Sequence, residues 1–281
     1  MQPIFFTKLS TLGNNYLMIN VLEQAPLQMD LSDLAKKMTD PSTGILSDGI
    51  IVLSPSDIAD LKMVIYNKDG SKAMTCGNGL RLIGRYLLEL DRFNKQTIQV
   101  ETDANVSTLT HDGEMITADL GFAHMLAEPF SPLLMDSDLS KYCGKIETSF
   151  GTWATDMISM GNPHFIIYTD EDHYSFYNEM ETISKEYDVN VGMVTVLDNR
   201  HLKLTTYERG SGFTGACGTN TAATVASAVV RGQVLPNELI TVHVPGGDLY
   251  IKWDENSHLL ATGSCTKVCV GTYFYPDFSE S

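Results

Sequence analysis

Two Cys-Gly pairs, Cys76-Gly77 and Cys217-Gly218, stand 141 residues apart in a chain of 281, and each opens a segment that reads as a helix. Both follow a glycine-containing loop, YNKDGSKAMTCGNG in one case and YERGSGFTGACGTN in the other, with Tyr66 and Tyr207 ten residues before the respective cysteine. A loop that runs through Cys-Gly into a helix sets the sulfur beside several free backbone N–H groups. Those donors and the positive end of the helix dipole bind anions and favour a thiolate. Two such sites facing one another suit inversion at a carbon next to a carboxylate. One cysteine, as thiolate, removes the α-proton, and the other, as thiol, returns a proton to the opposite face. The charge of the intermediate collects on the carboxylate oxygens, where the backbone N–H groups of Gly77, Asn78, Gly218 and Thr219 stand as candidate donors. This chemistry demands no electron-sink cofactor and no metal, so neither is expected. It does require exclusion of water, which predicts closure of two parts of the chain on the substrate. The plainer reading of a lone cysteine is a small buried hydrophobe; matched placement at two helix starts favours chemistry for Cys76 and Cys217.

The elements that carry these residues are written twice. TLGNNYLMIN near the start and SMGNPHFIIY 148 residues later each set a Gly-Asn pair, Gly13-Asn14 and Gly161-Asn162, before an apolar run with strand character. After each Cys-Gly helix comes an extended stretch broken by turn residues, IQVETDANVSTLTHDGEMITADLG and ITVHVPGGDLYIKWDENSHLLATG. An ordered series of shared features at half the chain length indicates internal duplication. The predicted fold is α/β (α+β), with two pseudo-symmetric halves, each a mostly antiparallel sheet or barrel wrapped around a central helix. The boundary is placed between Leu120 and Met125, giving 1–122 with Cys76 and 123–270 with Cys217. The closing segment 271–281 is extended and expected to return to the first half.

Composition narrows the partners. With 19 Lys+Arg against 35 Asp+Glu the net charge is −16, and 43% of residues are hydrophobic, enough for substantial cores. No basic cluster offers a footprint for nucleic acid, and an anionic membrane surface is equally disfavoured. The longest apolar runs, such as Ala222 to Val230, fall well short of the roughly 18–20 residues that cross a bilayer. MQPIFFTKLS lacks the features of a secretory signal, so a cytoplasmic location with reduced thiols is expected.

Other residues invite weaker readings. Cys265 and Cys269 form a C-x3-C that on a strand would share one face and could recruit zinc with His164 or Cys143. Without a second tight pair, core packing is the better account of the three remaining cysteines. The glycines of GSGFTGACG match neither a dinucleotide nor a P-loop pattern. Asn14 and Asn162 could be turn residues only, and His164 a satisfied structural histidine. Glu208 and Arg209 are adjacent, so on an extended segment they point to opposite faces, and either could be a solvated charge.

LGNNY, GILSDGIIVL, YNKDGSKAMTCGNGLRLIGRY, SMGNPHF, VNVG and YERGSGFTGACGTNT occur in this order along the chain. Together they resemble the diaminopimelate epimerase family, cofactor-independent enzymes of the lysine and cell-wall pathway. The CGNG and YERG…ACG segments are the specific ones. The resemblance implies Cys76 and Cys217 as the acid/base pair. It implies Asn67, Asn162, Asn190 and Arg209 as the set that recognises the distal amino-acid centre, and Asn14 and Glu208 as polar contacts to ammonium and carboxylate groups. It further implies a small-molecule amino-acid substrate, two pseudo-symmetric halves and a homodimer. The chain departs from the family pattern at Asn15 and Tyr16, where Asp-Phe is usual, at Phe213, where Glu is expected, and at Asn220, which replaces a small residue in the second helix start. These departures touch substrate identity more than reaction type. A sister racemase acting on another amino acid, or a non-catalytic amino-acid-binding or redox-sensing protein of the same fold, are the alternative readings.

Overall fold

Alternating burial along LKMVIYN marks Leu61–Asn67 as a strand with Leu61, Met63 and Ile65 buried, and the same period recurs in Ile98–Glu101, Leu239–Val244 and His258–Ser264. In this computed structural model residues 2–90, 97–128, 131–132, 143–148 and 151–275 are described. They fall into two units, Met1–Ala118 with Ser264–Ser281, and Asp119–Gly263. The first break lies inside a strand, four residues ahead of the expected 122/123 position, and the second lies seven residues ahead of the expected 270/271 position.

The first unit runs β1 (Gln2–Thr11), β2 (Asn14–Asn20), α1 (Leu31–Thr39), β3 (Gly49–Ser54), β4 (Leu61–Asn67), β5 (Lys72–Ala73), α2 (Gly77–Glu89), β6 (Ile98–Glu101), β7 (Val106–Asp112) and β8 (Met115–Phe122), which continues across the break. The pairing along β1, β2, β3, β4, β6, β7 and β8 is antiparallel, parallel, antiparallel, parallel, antiparallel, antiparallel, with β5 folded back on β4. Each parallel step is bridged by a helix, as parallel neighbours require a long crossover. Leu12 and Gly13, both at positive φ, make the two-residue turn that delivers Asn14 to the head of β2.

The second unit opens with β9 (His124–Glu128), β10 (Ser131–Pro132) and β11 (Cys143–Thr148). It continues through β12 (Gly151–Ser159), β13 (Pro163–Tyr168), α3 (Tyr177–Tyr187), β14 (Asn190–Val196), β15 (His201–Glu208), β16 (Gly212–Phe213), α4 (Gly218–Val230), β17 (Leu239–Val244), β18 (Gly247–Trp253) and β19 (His258–Ser264). From β12 to β19 the order of antiparallel and parallel pairings repeats that of β1 to β8, with β16 on β15 as β5 is on β4. The duplicated architecture is mixed α/β with strands in the majority.

Helices α2 and α4 are each 13 residues long and mostly buried. Each is the central helix of its unit: α2 packs on β1, β2 and β7 as α4 packs on β12, β13, β14 and β18. Separate cores lie under the outer helices, around Leu17, Leu34 and Ile50 below α1 and around Phe165, Ile183 and Met193 below α3. One face of α4 is polar: Asn220, Thr224, Ser227 and Arg231 recur at helical spacing. At its far end the Arg231 guanidinium clasps fully buried Asp156 through Nε and Nη2 at 2.7 and 2.8 Å, Ser227 donates to the same carboxylate, and Tyr168 lies 4.4 Å beneath the guanidinium.

The final strand, β20 (Thr266–Tyr275), runs antiparallel to β1 and completes the first unit. Residues 276–281 of the expected 271–281 strand lie outside the described residues. A register shift at Lys8/Leu9 bulges β20 between Lys267 and Cys269. This corrects the expectation that Cys265 and Cys269 share one face: Cys265, just ahead of the strand, is buried, whereas Cys269 is exposed and packs no core. The side chain of Cys143 lies outside the described residues. Among those described, no helix is long and apolar enough to cross a membrane.

Candidate active site

In the first unit Cys76 is the N-cap of α2, with extended backbone that turns its side chain back over the first helical turn. The Gly79 N–H donates to Cys76 Sγ at 3.3 Å, so one of the free donors at the helix start is spent on the sulfur. A side chain at Gly79 would press on Ile51 at 3.0 Å and on Cys76 Cβ at 3.4 Å. Tyr16, which stands where the family usually has Phe, brings its hydroxyl to 4.0 Å from the thiol. Only glycine fits beside its ring at position 49, where a Cβ would meet the Tyr66 carbonyl at 2.2 Å and Tyr16 Cε1 at 2.8 Å. Asn14 heads β2, and its buried Oδ1 has no hydrogen bond among the described residues. The neighbouring Asn15 is tied by its N–H and its amide to Asp48 at 2.7 and 3.2 Å. Asn67, at the end of β4, donates from Nδ2 to Ser71 Oγ at 3.0 Å. Asn78 turns inward, where its Oδ1 accepts from Arg81 Nη2 at 2.7 Å, and the Gly77 carbonyl accepts from Arg81 Nη1 at 3.5 Å.

In the second unit Cys217 is the N-cap of α4, likewise with extended backbone, but its side chain makes no capping hydrogen bond; it is 7% exposed, with Thr219 Oγ1 3.4 Å from the sulfur. Burial, and after it the carboxylate of Glu208, push the Cys217 thiol well above the usual thiol range; the Thr219 hydroxyl and the Asn220 N–H draw it back only in part. Cys217 is therefore a thiol near neutral pH. Glu208, the last residue of β15, accepts from Thr214 Oγ1 at 2.5 Å. Arg209 begins the turn that follows, so the two neighbours diverge as their adjacency requires. Asp188, at φ 53°, ends α3 in the left-handed conformation and offers both its carbonyl and its carboxylate to Arg209 Nη1, at 3.1 and 2.9 Å. Arg209 remains 44% exposed and lines a hollow of about 560 Å³ with Ser184, Tyr207 and Ser211.

The register of β13 on β14 sets His164 opposite Asn190 and so gathers four of the sequence-derived residues. His164 Nε2 lies 2.9 Å from Asn162 Oδ1, Asn190 Nδ2 donates to the Pro163 carbonyl at 3.3 Å, and Asn190 Oδ1 accepts the Arg209 N–H at 2.9 Å. Burial, with a smaller contribution from Arg209, lowers the His164 pKa to about 3, so the ring is neutral and, protonated on Nε2, holds the Asn162 amide. The polar residues of the second unit thus form one connected cluster beside the Cys217 loop. Those of the first unit divide among the head of β2, the end of β4 and the start of α2.

Sequence reasoning passed over Arg81, which is fully buried beneath the Cys76 turn. The signal was its position in GNGLRLIG, on the apolar side of a helix. The exposed-looking neighbour Arg85 masks that signal by pairing with Glu89 four residues on. Asn220 also has an unexpected setting: it is completely buried, neither polar atom of its amide finds a hydrogen-bond partner among the described residues, and a Cβ at Gly192 would meet its Oδ1 at 2.4 Å.

Comparison with solved structures returns the same fold at low identity. A hydroxyproline epimerase from Agrobacterium vitis, with bound trans-4-hydroxy-L-proline, superposes with a TM-score of 0.68 at 14% identity, covering 96% of this chain and 92% of that one. A phenazine biosynthesis protein of the PhzF family from Bacillus anthracis gives 0.69 at 14% identity, over 98% and 100%. Among curated sequences, the diaminopimelate epimerase of Bacillus pumilus is 35% identical over 98% of this chain and 100% of its own, and that of Bacillus mycoides 33% identical over 98% and 99%. The diaminopimelate epimerase family model matches residues 6–126 and 157–268, which include both cysteine helices. With the family model spanning most of its length and near full-length relatives above 30% identity, the chain belongs to the diaminopimelate epimerase family of isomerases.

Proposed function

We propose that this protein interconverts LL- and meso-2,6-diaminopimelate without a cofactor, using Cys76 and Cys217 as the acid/base pair. The observation that carries the reading is the twin capping of two equally long buried helices by cysteine, within a chain whose near full-length relatives are diaminopimelate epimerases. In each direction one sulfur, as thiolate, takes the α-proton while the other, as thiol, supplies a proton to the opposite face. The helix-start N–H groups of Gly77, Asn78, Gly218 and Thr219 receive the developing carboxylate charge. Asn67, Asn162, Asn190 and Arg209 recognise the distal centre, for which a cation and several amides suit a second carboxylate and ammonium. Asn14 and Glu208 contact the ammonium and carboxylate groups near the reacting carbon, and Asn14 Oδ1, without a hydrogen bond among the described residues, is an acceptor suited to an ammonium.

A homodimer is part of this reading, supported by the outward face of the β1–β20 pair, where Phe5, Val268, Val270 and Phe274 are each more than half exposed. The need for reduced thiols supports a cytoplasmic setting. The test is incubation of the reduced, metal-free and pyridoxal-phosphate-free protein with the LL isomer in deuterated water. Deuterium at one α-carbon and appearance of the meso isomer are expected. Absence of exchange overturns the enzyme reading in favour of binding or sensing. Faster turnover of another amino acid in a substrate panel overturns the named substrate and leaves the two-thiol chemistry standing.

A further inference from the structure

Arg81 lies five residues after Cys76 on α2 and is fully buried, yet it forms no ion pair with a carboxylate among the described residues. Its oxygen acceptors, Asn78 Oδ1 and the Gly77 carbonyl, are neutral, and its Nε has no hydrogen bond there. Arginine keeps its proton in proteins, and a buried charge without an opposite one is strongly unfavourable. The groups facing it that can become anionic are two thiols: Cys265, brought in between β19 and β20, which acts on it more strongly and also hydrogen-bonds with it, and then Cys76 at the head of its own helix. Burial draws the Arg81 pKa down, and negative charge on either sulfur draws it back up. The reciprocal effect favours a thiolate. Cys265 is a poor holder of that charge, because its own burial pushes its thiol up against the pull of Arg81 and Thr11. Cys76 is partly exposed, accepts the Gly79 N–H and has the Tyr16 hydroxyl nearby. At the corresponding place in the second unit, five residues after Cys217, stands Ala222, and the charged neighbour of that thiol is Glu208.

We propose that Arg81 is a positioning residue that reserves negative charge for Cys76, so that the free protein carries a thiolate at Cys76 and a thiol at Cys217. This rests on the two-thiol reading for its catalytic meaning but not for its test. The isomer whose proton Cys76 removes then meets its base already formed. The other isomer must wait for the inverse distribution of one proton between the sulfurs.

The experiment is alkylation of the reduced full chain by iodoacetamide across pH, resolved by residue with peptide mass spectrometry. The expected midpoint for Cys76 lies at least about one pH unit below that for Cys217, roughly a tenfold difference in thiolate population at equal pH. Arg81→Gln should raise the Cys76 midpoint by about a unit and leave that of Cys217 in place, Arg81→Lys should restore most of the shift, and Cys265→Ser should leave the Cys76 midpoint where it was. Coincident or reversed midpoints in the unsubstituted protein overturn the proposal, as does an unmoved Cys76 midpoint in folded Arg81→Gln. A fall in the Cys76 midpoint on Cys265→Ser also overturns it, since Arg81 would then have been serving Cys265. Should Arg81→Gln fail to fold, the unsubstituted and Cys265→Ser profiles decide. A protein with split midpoints but no epimerase activity would sink the proposed function and keep this inference.

Discussion

The helices behind Cys76 and Cys217 share their length, their cap residue and their place between a two-residue strand and a parallel crossover, yet their interiors are chemically opposed. Under the first cap lies a buried cation, Arg81, and the third helical position is Gly79, whose N–H reaches the sulfur. Under the second the third position is Asn220, a buried amide wedged against Gly192, and the charge that acts on the thiol is the anion Glu208. Duplication keeps the backbone frame because capping, pairing order and burial of the central helix are properties of the frame. The side chains are free to diverge, and a reaction needing one acid and one base at any instant gains from their divergence.

The comparison breaks most directly at the sulfurs. Cys76→Ala and Cys217→Ala should each lower interconversion by about a thousandfold or more, read as α-deuterium incorporation starting from each isomer. If either variant keeps a tenth of the activity, the two sites do not act as a pair. Next in size are the arginines of the two central helices, Arg231 and Arg81. Arg231→Ala strands the Asp156 carboxylate and should cost about 3–5 kcal/mol in urea denaturation. Arg81→Gln leaves only neutral acceptors behind and should cost about 1–3 kcal/mol. The reverse order would show that Arg81 has a fixed counter-charge other than a thiolate. Gly192→Ala drives a methyl into the Asn220 amide and should cost about 1–3 kcal/mol, largely recovered in the double variant with Asn220→Gly, a coupling with no equivalent at Gly79.

Position 16 of the first unit and position 164 of the second follow their Gly-Asn pairs at the same distance and give a smaller contrast. His164 is held neutral, with its folded pKa of about 3 below the unfolded value near 6.5. Between these values the unfolded chain binds the extra proton, so stability is fully present above about pH 6.5 and declines as pH falls, by up to about 1.4 kcal/mol per unit. Thermal melts from pH 7 to pH 4 should show this slope reduced in His164→Asn. Tyr16→Phe removes only a hydroxyl beside Cys76 and is expected to change turnover a few-fold, with unchanged stability.

Much of this was legible in the sequence because it is local. A Leu-Gly turn before Asn14, a cysteine followed by glycine at a helix start and strands of period two are decided within a few residues of themselves. What the sequence concealed is non-local. The strand register that joins Asn162, His164, Asn190 and Arg209 links residues up to 47 apart. Arg81 reads as one more charge on a helix until the packing of α2 on β1, β2 and β7 encloses it. The C-x3-C of Cys265 and Cys269 was misread because a bulge on β20 separates two side chains that regular alternation would align.

The pairing of β20 with β1 has a consequence for how the chain comes to be folded during synthesis. The segment Asp119–Gly263 is continuous and can fold once it has emerged, whereas the first unit must wait for a strand made some 250 residues after β1. At about 5–20 residues per second that interval is on the order of 10–50 s. Throughout it one edge of β1 lies open to the wrong neighbour, and Arg81 lacks the sulfur of Cys265. The earlier-made half is therefore the later to mature. Slowing or cutting translation near β20 should be felt first around Cys76 rather than around Cys217.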